Sequence, residues 1–563
     1  MSRQRLHFLT RQPRFILRVC LGILLVGVVT AWIVGKWMPP KHGRWAQVFG
    51  LEHAPAPHGV PGTPGVTAKG LGVREIPEGL DEDQLHDWLT KFTRTEFPSV
   101  SEMVELPDSL RALPEFQEPM VKMNDQVRRA VAQLALGKST VAQDRRVLFQ
   151  HFIDAVWLEG PPRVAAQTAL EQMAAQKPVV PLANELLGDM WEVLHDPKAS
   201  LAAYLLEGER PEAKSARQKA LRSCIAQRNV DHLRELLRNP AYAVEITGLN
   251  EEEKRSEAIL TGNYWELFRL DLNSSIDSAK GHLPETILTL LCGIIWFVMI
   301  HQLGGIRVRS SWRGLLALIL GLLSPVVTLT ILAVQEHYGT IERTGELANH
   351  LLFYVVGVGV REEISKLLLF LPMLPFLRGK SEAEILVVAG CVGLGFAVEE
   401  NIGYFLHGLS GQPLARLVTA NFMHVATTAL AGLALARWVR FPRSCWESGV
   451  ATIVAVILVH GVYDFTIDAP MPHTAMALGS FAGFILLALA HYFLTQLKHL
   501  RNARGNIIAP LFAFLVGMSV LAALALIGGT MDSGLRDALE RLIGSGLGAV
   551  YLIIMFSYHL HRE

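Results

Sequence analysis

Four apolar stretches in the C-terminal half of the chain carry carboxylates or imidazoles. They are Arg361-Glu362-Glu363-Ile364-Ser365-Lys366, Phe396-Ala397-Val398-Glu399-Glu400-Asn401, Asn421-Phe422-Met423-His424 and His460-Gly461-Val462-Tyr463-Asp464. Each lies in an apolar run long enough to cross a bilayer. An ionisable group at mid-membrane costs about 2.5–3.5 kcal/mol on insertion scales, so such groups turn inward and pair with one another. Four stretches of this kind imply one polar, wetted cavity inside the membrane. Acids and imidazoles gathered there are the material of acid–base hydrolysis or of a metal site.

Spacing says how each stretch can contribute. Glu362 and Glu363 are neighbours, about 100° apart round a helix, so they point in different directions. Lys366 is one turn from Glu362 on the same face, and an internal ion pair is the plain structural reading of that spacing. Phe396 and Glu400 share a face, flanked by Glu399 and Asn401, and Gly390, Gly393, Gly395 and Gly403 would let a partner backbone or a substrate come close. His424 precedes Thr427 and Thr428 by one turn, where a packing hydrogen bond is the plain alternative. His460 and Asp464 are one turn apart on one face. There a carboxylate could orient an imidazole, both could ligate one metal, or the pair could cap the helix end. At about 1.5 Å per residue, Glu400, His424 and His460 fall in the outer half of the membrane and Glu362 near its middle.

The elements that must position these groups can be read from the rest of the chain. It has 563 residues, half of them apolar, and a formal net charge of zero, which gives no general attraction to nucleic acid. Its mean hydropathy is +0.30. Four of the five cysteines lie in or beside apolar runs. Cys224 sits in a polar stretch without an obvious disulfide partner, and no CxxC pair occurs, which argues against a thiolate zinc site.

Arg3, Arg5, Arg11, Arg14 and Arg18 precede the apolar run 20–35. Lys36-Trp37-Met38-Pro39-Pro40 comes next in place of a small-residue cleavage site, so the run reads as an uncleaved anchor. Residues 1–40 are thus a tail and anchor helix, and 41–80 a Pro/Gly-rich linker. Residues 81–282 form a polar domain with helical apolar spacing, as in Val127, Val131, Leu134 and Leu136. Within it Ala183–Trp191 and Ala199–Leu206, separated by Asp196-Pro197, resemble a tetratricopeptide or Sel1-type helix hairpin. A further pair is expected across Glu212–Arg238, and Trp191 and Tyr204 read as core residues.

Residues 283–563 read as a polytopic membrane domain. Spans are expected at 284–302, 314–334, 346–376, 383–407, 414–437, 446–465, 474–496, 507–529 and 541–559, ten with the anchor. The fold expected is therefore all-α. Arg307, Arg309 and Arg313, then Arg378 and Lys380, then Arg437, Arg440 and Arg443, then Lys498, Arg501 and Arg504 mark one set of loops. The alternate loops are poorer in basic residues. The positive-inside rule then puts both termini in the cytoplasm and residues 41–282 outside, in the periplasm for a chain of a bacterial inner membrane.

Taken in order, Glu362-Glu363-x-x-Lys366, Phe396-x-x-x-Glu400-Asn401, His424 and His460-x-x-x-Asp464 resemble the PrsW family of intramembrane proteases, which share a superfamily with the type II CAAX prenyl endopeptidases. The likeness covers about residues 283–500, and Glu400 favours the PrsW branch. It implies hydrolysis of peptide bonds in membrane-associated protein substrates, such as the first-site cleavage of an anti-sigma factor. Glu362, Glu363, Glu400, His424, His460 and Asp464 are then the expected catalytic residues, supported by Lys366, Phe396, Glu399 and Asn401. Glu362 would be the general base on water, and a histidine would stabilise the oxyanion or protonate the leaving amine. No metal is required by this scheme. Zn²⁺ is the alternative, held by a set drawn from His424, His460, Glu363, Glu400 and Asp464, although no HExxH motif occurs.

The rival functions are an ion- or proton-coupled transporter, for which no inverted repeat is evident, and an idle membrane scaffold whose outer domain binds a protein partner. A prenyl-type protease would act on the cytoplasmic side, against the expected depth of the site.

Overall fold

Burial of polar backbone in lipid leaves the helix as the economical choice for so apolar a chain, and the described residues are 88% helical with no strand. The computed structural model describes residues 3–37, 78–94, 123–281, 283–306, 310–338, 346–406, 413–468, 475–500 and 508–561. Nearly all of the expected linker lies outside these, as do Arg307, Arg309, Arg343, Arg501, Arg504 and the segment 470–472. The chain divides into two compact units, one of residues 1–57 with 264–563 and one of residues 58–263.

In the membrane unit, eight helices among the described residues are long and apolar enough to cross a bilayer: Pro13–Trp37, Thr286–Leu303, Ser311–Glu336, Glu382–Tyr404, Arg416–Arg440, Pro442–Asp468, Phe481–Leu500 and Pro510–Ile527. This is a multi-pass membrane protein. The remaining expected positions are also helical. Residues 347–377 run as an α-helix, a π-helical stretch Phe353–Gly359, the helix Val360–Phe370 and a tight turn ending at Leu377. The charges Arg361, Glu362, Glu363 and Lys366 take it out of the apolar class. The other is Leu535–His561.

The Glu400 helix (Glu382–Leu406) and the His424 helix (Pro413–Arg440) lie deepest, with about nine-tenths of their apolar windows buried, 89% and 94%. Helices in lipid gain little from hydrophobic burial, so they associate where small residues let backbones meet. That is how these helices touch. A Cβ on Gly393 would lie 2.1 Å from the His424 carbonyl oxygen, and one on Gly395 2.2 Å from that of Leu318. Gly390 makes a looser approach to Val425 at 3.3 Å, while Gly403 faces open space. The His460 helix (Pro442–Asp468) meets the π-helical stretch in the same way. A Cβ on Gly461 would lie 2.4 Å from the Val355 Cα, and one on Gly359 2.8 Å from the Ile457 carbonyl oxygen. The bulge therefore sits where two backbones press together, one residue from His460 and three from Glu362.

In the polar unit, Asp196 caps the helix Pro197–Gly208 by accepting from the Ala199 amide at 3.0 Å, and Pro197 starts it. With Ala183–Val193 this forms a helix hairpin. Gly188 makes the pairing close, since its Cβ would lie 2.4 Å from the Tyr204 ring. Tyr204 is a core residue and Trp191 packs at the core's edge. The helices Lys214–Ala226 and Val230–Arg238 come next. Cys224 is buried and unpaired, and burial pushes its thiol up to about 12.

A buried ionic knot ties this unit together. Asp189 receives Lys219 at 2.7 Å, His86 at 2.8 Å, Thr90 at 3.0 Å and the Tyr204 hydroxyl at 2.6 Å. Burial alone would raise the Asp189 carboxyl, but Lys219 and His86 outweigh it and hold it well below the usual range.

This packing has two measurable consequences. Asp189→Ala removes the acceptor shared by His86, Thr90, Tyr204 and Lys219, leaves Lys219 only Glu185 at 3.0 Å, and should cost the polar unit about 3–5 kcal/mol. Because the folded carboxyl is depressed, its contribution is complete above about pH 4 and is lost as pH falls below that. Thermal unfolding of wild type and variant between neutral and acid pH checks both. In the membrane unit, Gly461→Val should lower thermal stability in detergent by about 2 kcal/mol or more, while Gly403→Ala leaves it unchanged. Equal melting of the two variants would contradict the backbone contact at Gly461.

Candidate active site

The site is assembled from four helices around one ammonium. Lys366 is fully buried, and its own helix supplies its two carboxylates. Its Nζ lies 2.9 Å from Glu363 Oε1 and 3.3 Å from Glu362 Oε2. It also donates to His424 Nδ1 at 2.9 Å and sits 3.9 Å from the centre of the Phe396 ring. The aromatic face and the acceptors together compensate a charge that reaches no water.

An ammonium has no acceptor, so His424 Nδ1 carries the lone pair and its proton is on Nε2. That N–H donates to Glu400 Oε2 at 2.8 Å. The other oxygen of Glu400 pairs with Arg416 Nη2 at 3.1 Å. The Arg416 guanidinium in turn stacks on the Tyr404 ring, 3.3 Å from its centre.

His460 is fixed from its other side. Its Nδ1 donates to Glu363 Oε1 at 2.7 Å, within reach of Thr427 Oγ1 at 3.4 Å. His460 Nε2 then faces Glu362 Oε2 at 3.4 Å and Asp464 Oδ2 at 3.2 Å, but without a hydrogen bond to either. A buried imidazole nitrogen within 3.4 Å of two carboxylate oxygens is a place where a proton or a cation is shared. The groups in contact comprise four carboxylates, Glu362, Glu363, Glu400 and Asp464, against two cationic side chains, Lys366 and Arg416. The excess negative charge calls for protons or a cation beside His460 Nε2.

The chain of contacts therefore gathers Glu362, Glu363, Lys366, Phe396, Glu400, His424, His460 and Asp464. Glu399 and Asn401 turn elsewhere. Glu399 accepts from Ser275 of the helix Tyr264–Gly281 at 2.9 Å. Asn401 donates to Asn421 at 2.9 Å, and Asn421 reaches the Cys292 sulfur at 3.2 Å, a polar ladder joining three helices. Sequence reasoning passed over Arg416 and Tyr404. The signal available was a lone arginine just inside a span, and a tyrosine one turn after Glu400.

Donor atoms of Glu362, His424 and His460 lie within 4.8 Å of one another, the spread of a metal site. The chemistry of the donors divides this set. His460 suits a metal, with a free Nε2 and a carboxylate on Nδ1, as metal-ligating histidines have. Glu362 and Asp464 beside it supply oxygen ligands. His424 does not suit one as arranged, since Lys366 takes its only lone pair. Glu363 and Glu400 aim at imidazole nitrogens.

Residues 310–494 match the family model described as PrsW family intramembrane metalloprotease. No curated protein and no solved structure matches the chain. The matched segment contains every one of the converging side chains, and this membrane region is similar to the PrsW family, consistent with an intramembrane protease.

Proposed function

We propose that the chain cleaves membrane-protein substrates by glutamate-assisted attack of water, with Glu362 as the general base. The supporting observation is the convergence of Glu362, Asp464 and His460 Nε2, three hydrogen-bonding groups brought within 3.4 Å from two helices. Glu362 is the less enclosed carboxylate of its pair, with 12% of its side chain exposed against none for Glu363. A water seated there donates to Glu362 and loses that proton as it attacks the scissile carbonyl. His460, oriented by Glu363, takes that proton from Glu362 on Nε2 and passes it to the leaving amine, and His424 Nε2–H with Arg416 keeps Glu400 in place behind it. Lys366 holds Glu362 and Glu363 within one site without taking part in proton transfer.

The zinc reading stands second, favoured by the charge excess and by the free His460 Nε2. Glu362, His460 and Asp464 would hold the ion, which would polarise the carbonyl and acidify its water. The Lys366 ammonium on His424 weighs against the larger ligand set.

The substrate class we infer is a single-span regulatory protein of the anti-sigma type. The basic residues gathered in one set of loops support a bacterial inner-membrane location, with both termini cytoplasmic and residues 41–282 periplasmic. There the helical hairpins of the polar unit, tetratricopeptide-like in pattern, would dock a partner or select substrates by size.

Glu362→Gln should reduce cleavage by about 10²–10⁴-fold with melting temperature kept. Activity that survives strong chelation, in protein free of transition metal by elemental analysis, supports the glutamate reading; loss on chelation and return with Zn²⁺ overturns it. For the substrate, membrane proteomes of cells carrying wild type or Glu362→Gln should differ by truncated single-span proteins cut near their outer face. Cuts confined to the cytoplasmic face would reverse the orientation.

A further inference from the structure

We propose that Arg416 is a positioning residue that acts on the reaction through Glu400, by fixing the protonation pattern of the His424 ring. The inference rests on the protease reading for its kinetic arm and on geometry alone for its spectroscopic arm.

Arg416 lies eight residues before His424, about 12 Å along the same helix, so it touches neither His424 nor the Glu362 pair directly. It meets the next helix instead, at two residues one turn apart. Its Nη2 pairs with Glu400 Oε1 at 3.1 Å, and its guanidinium plane lies on Tyr404, 3.3 Å from the ring centre. Arginine is the side chain suited to this double task, because its planar charge can stack and donate together. Glu400 is thereby held by one oxygen, and only its second oxygen is presented to His424, at 2.8 Å.

That constraint decides the ring. With Glu400 held as an acceptor, the Nε2 proton has a partner and Nδ1 stays free for Lys366 at 2.9 Å. If Glu400 swings away, Nε2–H loses its acceptor in a buried site, which leaves a polar group unpaired. The ring can then rotate or exchange its proton, and Nδ1 no longer has to face Lys366. Lys366 would in turn lose one of the acceptors that fix its direction between Glu362 and Glu363. The path Arg416, Glu400, His424, Lys366 thus links the mouth of the Glu400 helix to the carboxylate pair through four consecutive contacts.

The test uses the full-length protein in detergent, with selective ¹⁵N-histidine labelling and His424→Gln to assign the ring. Wild type should show His424 with Nε2 protonated and Nδ1 free. Arg416→Lys, which keeps the charge, should hold that pattern; Arg416→Gln should lose it or average it. An unchanged His424 signal in Arg416→Gln overturns the proposal.

The kinetic arm uses a quenched-fluorescent single-span peptide that wild type cleaves and Glu362→Gln does not. Arg416→Gln should lower kcat by about tenfold or more with KM within about twofold, the mark of an interaction used in the transition state. Arg416→Lys should recover much of the loss. The double variant Arg416→Gln/Glu400→Gln should lose no more than Glu400→Gln alone, since both act along one path. Losses that multiply, or a change confined to KM, would make Arg416 a substrate contact and sink the idea. Should Glu362→Gln cleave as well as wild type, the protease reading fails while the ring signal still decides the role of Arg416.

Discussion

One buried ammonium organises the membrane site. Lys366 reaches no solvent, so its charge must be met inside the protein. It is met by two carboxylates of its own helix, an imidazole nitrogen from a second and an aromatic face from a third. A lone charge in this setting would cost several kcal/mol, and a group that can only donate dictates what its neighbours do. His424 must offer a lone pair, so its proton turns to Glu400. Glu363 must accept, so it can also take the His460 N–H. The directions of two imidazoles and three carboxylates are set by one side chain with no lone pairs.

That network needs helices closer than leucine-lined surfaces allow. Glutamate and histidine are short, and their contacts of 2.7–2.9 Å across helices depend on backbones that nearly touch. Glycine supplies this at Gly393 against the His424 carbonyl and at Gly461 against Val355. The second contact lies on a π-helical stretch, whose extra residue per turn rotates the next helical turn about the axis. That next turn carries Glu362 and Glu363. Backbone proximity and the register of the bulge thus set the geometry that Lys366 then locks.

The polar unit uses the same physics for a different end. Lys219 and His86 converge on Asp189, with Tyr204 and Thr90 completing its shell. There the carboxylate is surrounded on both oxygens, and the knot staples helices together. In the membrane site, His460 Nε2 and Glu363 Oε2 remain without hydrogen bonds. Here the imidazole nitrogen faces the more exposed of the two glutamates, so the knot in the membrane brings a base and a proton carrier together.

Much of this was legible in the sequence, for physical reasons. Apolar runs of span length force helices across lipid, and charges within them must face inward, so the converging groups could be named from residue types alone. Spacing along one helix was equally informative: Glu362 with Lys366, and His460 with Asp464, meet as their four-residue separation requires. Spacing sets only an angle on one helix, however. It could not say that Glu399, beside Glu400, turns to Ser275, or that Asn401 joins a ladder to Cys292. Nor could it pair Glu363 with His460 or bring Arg416 onto Glu400, because those contacts depend on how far each helix is rotated against its neighbour. Residue types and their order along the chain dictated which groups had to share a cavity. Which of them face one another inside it came from helix packing, since rotation and approach are settled by glycine contacts between helices distant in the chain.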